Sequence, residues 1–112
     1  MFRLEFSKLY DRDVDLSYNY IKDNLEAPMA AENLIIEILE KLNKIKENPK
    51  IRPLVRDEYL ASLGYRSIKV KNYVIFYIIG EGNNHVKVVR FLYNKRNWVN
   101  ILKEKSIEEL ME

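Results

Sequence analysis

Residues 65–93, YRSIKVKNYVIFYIIGEGNNHVKVVRFLY, hold three runs rich in Val, Ile, Phe and Tyr, cut by KN at 71–72 and by GEGNN at 80–84. Runs of six to nine β-formers separated by turn residues predict an antiparallel meander of three strands. The middle run, YVIFYII, is apolar on both faces and belongs in the interior of a sheet. On its neighbour Arg66, Ile68 and Val70 alternate with Ser67, Lys69 and Lys71. Strict alternation in the last run puts Lys87, Val89, Phe91 and Tyr93 on one face and Val86, Val88, Arg90 and Leu92 on the other. One such face needs cover; the other is expected to be free to work.

The cover lies upstream. Phe2, Leu4 and Phe6 alternate with Arg3 and Glu5 as a short strand ending at Ser7. From Asp11 the apolar spacing becomes helical, through Val14, Tyr18, Ile21 and Leu25 on one face, and predicts a helix to about Asp23 or Asn24. After the link LEAP, Pro28 opens a second helix with Ala31, Leu34, Ile35, Ile38, Leu42 and Ile45 on one side and Glu37/Lys41 and Glu40/Lys44 on the other. It stops before Pro49. Downstream, Trp98, Val99, Ile101 and Leu102 predict a short helix, and SIEE at 106–109 a capping box. The expected fold class is α+β: a helical hairpin packed on one face of a small, mainly antiparallel four-stranded sheet, with a short C-terminal helix. Residues 1–112 read as one domain, with 106–112 as a peripheral tail.

The chain has no cysteine and one histidine, which excludes disulfides, thiolate zinc sites and cysteine nucleophiles. His85 alone builds no metal site, so no metal or cofactor is expected. No apolar run approaches the roughly 18 residues of a membrane span, and MFRLEFSKLYDRD lacks the apolar core of a signal peptide; a cytoplasmic protein without membrane contact is expected. Charge is unevenly spread. Residues 64–105 carry nine Lys/Arg and two Asp/Glu, a balance of +7, against −2 for 1–63 and −3 for 106–112. A localised positive field favours a polyanion or an acidic protein as partner.

GYRSIKVKNYVIFYII followed by VKVVRFLYNKRNW, behind a strand and a helical hairpin, resembles the RelE/ParE superfamily of toxins from type II toxin–antitoxin modules. The resemblance runs from about Phe2 to Trp98. It implies a cognate antitoxin, operator DNA bound only by the toxin–antitoxin complex, and one of two activities. RelE-like members cut mRNA on the ribosome without a metal; ParE-like members poison DNA gyrase. Metal-free cleavage needs a base for the ribose 2′-OH, charge stabilisation at the phosphate and a proton for the leaving oxygen.

In RelE-like toxins an arginine after the last strand contacts the scissile phosphate, and Arg96 falls there with Lys95 beside it. The leading expectation is therefore a ribosome-dependent mRNA endonuclease, with Arg66, Lys69, Lys71, Arg90, Tyr93, Lys95 and Arg96 around the phosphate and Tyr65, Tyr73 and Trp98 stacking on bases. The alternative is a gyrase inhibitor whose C-terminal segment and basic face contact the enzyme. Two departures favour it: Val74 stands where RelE-like toxins carry a second-strand arginine, and Leu102 near where they carry a stacking tyrosine. A third reading is an inactive, purely regulatory member. Several residues also have structural readings: Arg90 as partner of a helix carboxylate, Tyr73 and Trp98 as packing. His85 is expected at the surface, and Asp57 and Glu58 are candidate bases in a connector of unknown orientation.

Overall fold

The computed structural model describes residues 2–80, 82 and 84–112. Of the GEGNN turn, Glu81 and Asn83 lie outside the described residues. Strand β1 (Arg3–Phe6) leads into helix α1 (Lys8–Asn19), a π-helical turn (Tyr20–Asn24) and helix α2 (Pro28–Glu47). A 3-10 turn (Pro49–Ile51) and helix α3 (Glu58–Ser62) precede β2 (Tyr65–Val70), β3 (Tyr73–Ile79) and β4 (His85–Tyr93). Helices α4 (Trp98–Lys103) and α5 (Ile107–Leu110) end the chain. The sheet order is β1-β4-β3-β2, antiparallel except for the parallel pair β1–β4. This is the expected α+β architecture.

Helix α1 starts three residues before the expected Asp11. Ser7 ends the strand and also caps the helix, its hydroxyl accepting the Tyr10 N–H at 2.9 Å. Pro28 occupies the first turn of α2, where its missing N–H has no intrahelical partner. The buried stripe of α2, Ala31, Leu34, Ile38, Leu42 and Ile45, is the one its spacing predicts. Leu34, Ile38, Leu42 and Ile45 pack with Tyr10 on Ile68, Val70, Ile75, Tyr77, Val86, Val88 and Phe91 to form the first core. The buried Tyr77 hydroxyl donates to the Pro49 carbonyl at 2.7 Å and so fixes the 3-10 turn to the sheet.

The opposite face of the sheet is not free. Leu60 of α3, Leu102 of α4 and Leu110 of α5 close over Tyr65, Phe76, Ile78, Val89 and Leu92 as a second core. The tail 106–112, expected to be peripheral, thus contributes a residue only 4% exposed, Leu110. Its capping box is formed, with Ser106 and Glu109 bonded reciprocally.

The expected alternation of β4 fails at one point. Tyr77 pairs with Val88 but Phe76 pairs with Arg90, so Val89 is an extra residue on β4, a β-bulge. Downstream side chains therefore change face. Val86, Val88 and Phe91 share the hairpin side, while Val89 and Leu92 enter the second core. Strand β1 covers β4 only as far as Val88. Beyond it, α1 completes the edge: Ser7 donates to the Val89 carbonyl, and Asp13 accepts the Phe91 N–H at 3.1 Å. An edge finished in this way offers no open ladder to another chain.

Candidate functional site

The β2–β3 turn and the end of β4 lie side by side, because Val70 pairs with Tyr73, Tyr73 with Tyr93, and Asn94 N–H donates to the Asn72 carbonyl at 2.8 Å. Lys71 holds the turn with φ of 53°, a left-handed conformation that favours glycine. The tip of the helical hairpin overhangs this end of the sheet. Between them lies an open cavity of about 1130 Å³. Lys71, Tyr73, Phe91, Tyr93 and Arg96 line it from the sheet side; Leu16, Tyr20, Ile21, Asp23 and Leu25 line it from the hairpin side. Tyr73 stacks on Phe91 with ring centroids 4.8 Å apart, and Tyr93 meets Tyr73 edge-on, so aromatic rings form the floor. Tyr93 is exposed, as are Lys71 and Arg96.

Of the seven cationic and phenolic residues expected around a phosphate, the structure brings Lys71, Tyr93 and Arg96 to this cavity. Arg66 is elsewhere. It lies five residues before Lys71 on β2, about 16 Å away at the rise of a strand, and donates to the Arg52 carbonyl. Lys69 alternates with the hairpin-facing Ile68 and Val70, and is exposed on the other side of the edge strand. Lys95 is exposed beside Arg96 but does not line the cavity.

Arg90 is committed to Asp13. Its Nε and one Nη donate to the two carboxylate oxygens at 2.7 and 2.9 Å, with the two side chains 14% and 10% exposed. That paired fork leaves its charge compensated, so the structural reading of Arg90 is the one the fold adopts.

Of the three rings expected to stack on bases, Tyr73 lines the cavity. Tyr65 is fully buried in the second core, and burial pushes its pKa up to about 12 against a smaller opposing effect of the Arg90 charge. Trp98 packs on Phe76 with centroids 5.2 Å apart. Tyr65 therefore presents no face to a base, and Trp98 is committed on one side to the second core. Burial also raises Tyr77 and Tyr10, the latter aided by Asp11 and Asp13. Tyr18 is raised by its hydrogen bond to Glu32. Every shifted tyrosine moves away from neutral pH, where a proton carrier would be tuned.

The connector is now oriented. Asp57 caps α3 by accepting the Leu60 N–H at 2.9 Å and pairs with Lys103 at 3.5 Å; those bonds hold its carboxyl below the usual aspartate range. It is a structural acid, distant in role from any base. His85 is half-buried, not at the surface, with Nε2 3.8 Å from Glu5. Its ring occupies the place a Cβ on Gly80 would take. Among the described residues no three His, Cys, Asp or Glu side chains gather as metal ligands. No described helix is long and apolar enough to cross a membrane.

The hairpin wall of the cavity is absent from the expected site. Leu16, Tyr20 and Leu25 are 60%, 51% and 55% exposed. Leu16 and Tyr20 stand four apart, off the Val14–Tyr18–Ile21 face, while Leu25, expected on that face, is turned out to the cavity wall where the helix gives way to the π turn. The π turn was not legible; it closes with Leu25 N–H donating to the Tyr20 carbonyl at 3.1 Å.

No curated protein matches the sequence. Among solved structures, a chain of the chromosomal ParDE toxin–antitoxin system from P. aeruginosa shares the fold with a TM-score of 0.64 at 15% identity, over 83% of this chain and 96% of that one. Residues 4–98 match the family described as ParE toxin of type II toxin-antitoxin system, parDE. From the first strand to the start of α4, then, this chain belongs to the ParE family of type II toxins, each the partner of a cognate antitoxin.

Proposed function

We propose that the protein acts as a gyrase inhibitor, a binding toxin that cuts no bond itself. The observation that carries this reading is the match of residues 4–98 to ParE toxins. The site geometry supports it: of the expected catalytic cations Arg66 is remote and Arg90 is paired with Asp13, which leaves an aromatic-floored cavity with two cations, Lys71 and Arg96, that make no salt bridge among the described residues. Such a surface suits recognition better than proton transfer. The antitoxin, in this reading, is an acidic chain whose carboxylates cover Lys71, Lys95 and Arg96 and so hold the toxin inactive. Operator DNA is bound by that complex, in the cytoplasm.

The experiment is induced expression together with purified protein in a gyrase supercoiling assay. Inhibition of supercoiling and a DNA-damage response with intact mRNA are expected. The convergence of Lys71, Tyr73, Tyr93 and Arg96 favours mRNA cleavage on the ribosome as the second reading. There Arg96→Ala lowers cleavage by roughly a hundredfold to a thousandfold, since one preorganised charge-stabilising donor contributes about 3 to 4 kcal/mol in the transition state. Translation-dependent mRNA cuts that vanish in Arg96→Ala, with gyrase unaffected, would replace the first reading by the second.

A further inference from the structure

We infer that the cavity between the hairpin tip and the sheet end is the surface that grips the target enzyme. Its occupant is an acidic protein segment of gyrase bearing an aliphatic or aromatic anchor. This rests on the gyrase reading above and adds the place and chemistry of the contact.

The two walls differ in kind. The hairpin wall offers Leu16, Tyr20 and Leu25, each more than half exposed, and faces an aromatic floor of Tyr73 and Phe91. Apolar side chains gathered around a concave surface mark a binding site more specifically than scattered exposed ones. The sheet wall ends in Lys71 and Arg96, and among the described residues neither makes a salt bridge. An anchor side chain seated on the floor would have its neighbouring carboxylates within reach of these two cations.

The occupant's class follows from charge. Asp23 stands on the hairpin rim, so a nucleic-acid backbone laid along the cavity would meet a carboxylate and aliphatic side chains where it needs cations. A protein segment whose acid is confined to the end near Lys71 and Arg96, with an apolar anchor beside it, meets the cations and the apolar wall without laying charge along the Asp23 side. The backbone agrees: Lys71 keeps a side chain at a left-handed turn position that glycine would hold without strain. Meanwhile the C-terminal segment, expected to reach the enzyme, has Leu102 and Leu110 buried in the second core.

The test uses the full chain. Leu16→Ser/Tyr20→Ser removes the apolar wall, Lys71→Glu/Arg96→Glu reverses the rim, and Ile36→Ser/Leu39→Ser alters the exposed apolar face of α2 outside the cavity. Each is measured for inhibition of gyrase supercoiling, binding to purified gyrase subunits, binding to the antitoxin and thermal melting. The wall and rim variants are expected to raise the inhibitory concentration at least about tenfold with little change in melting, and the α2 variant to inhibit as the parent does. Wall and rim variants that inhibit like the parent, or lose only antitoxin binding, overturn the inference, the latter by assigning the cavity to the antitoxin. So does loss of inhibition confined to the α2 variant. If the parent protein itself leaves gyrase active, the gyrase reading fails first and the inference falls with it.

Discussion

Replacing Asp13 with alanine separates a structural Arg90 from a ligand-binding one. The substitution removes the acceptor of two guanidinium bonds and of the Phe91 N–H, leaving a cation 14% exposed with no partner. Breaking a buried pair by removing one member costs about 3 to 5 kcal/mol. At about 2.1 cal/mol/K of unfolding entropy per residue, a 112-residue chain has about 0.24 kcal/mol/K, so Tm should fall by roughly 13 to 21 °C. Pairing the loss with Arg90→Met removes the stranded charge and keeps an apolar stem. Asp13→Ala/Arg90→Met should then recover to within about 1 to 2 kcal/mol of the parent, the remainder reflecting the unpaired Phe91 N–H and the shortened side chain. Urea and thermal melts of the four proteins complete a double-mutant cycle. A single-variant loss below about 1 kcal/mol, or a double variant as unstable as the two singles added, would falsify the staple and free Arg90 for a phosphate.

Ile38, 4% exposed between α2 and the sheet, should cost about 2 to 5 kcal/mol on truncation to alanine, read by chemical denaturation. Lys71→Gly should stabilise the fold by about 0.5 to 1 kcal/mol by relieving its φ of 53°, yet weaken inhibition of the target; stability and activity moving together would contradict the role given to the turn. Glu109 has its carboxyl held below the usual range by the Ser106 backbone and side-chain bonds. A lowered folded pKa means stability that is present above the unfolded value and lost as pH falls through the folded one. Melting of the parent should therefore decline below about pH 4 partly through this cap, and Glu109→Gln should flatten that part of the Tm–pH curve.

Long periodicities carried most of the fold. The α2 stripe repeats over five buried positions and YVIFYII is apolar on both faces, so hairpin and meander are legible without any tertiary information. Helix α3 spans five residues, too few for a period to show, so the share of the second face that Leu60 covers is not legible; the short helices at 98–103 and 107–110 are, but nothing in them says which face they close. Val89 is invisible as a bulge for a different reason: in VVRFLY every residue suits a strand, and nothing local marks which is unpaired. Lys71, Tyr73, Tyr93 and Arg96 could be placed together because they bound the same turn and strand end. Arg66 stands apart from them because the length of β2 separates it from Lys71, and a run of like charges in sequence carries no such distance. Asp13 gave no signal; three aspartates sit near the start of α1, and only the docked helix selects the one facing Arg90.

The extra residue at Val89 also sets how this protein can change. Its deletion would leave Arg90, Phe91 and Leu92 on their present partners Phe76, Ile75 and Val74 and so on their present faces, whereas a slip that paired Val89 with Phe76 would turn every later side chain over: Phe91 and Tyr93 would leave the cavity floor for the side of α3–α5, and Leu92 would be carried beneath the hairpin. No single substitution in β4 reaches so far. The cavity floor is therefore fixed by the pairing beyond the bulge and not by the residue count, and functional relatives that lack the extra residue should still present the side chains matching Phe91 and Tyr93 to the cavity.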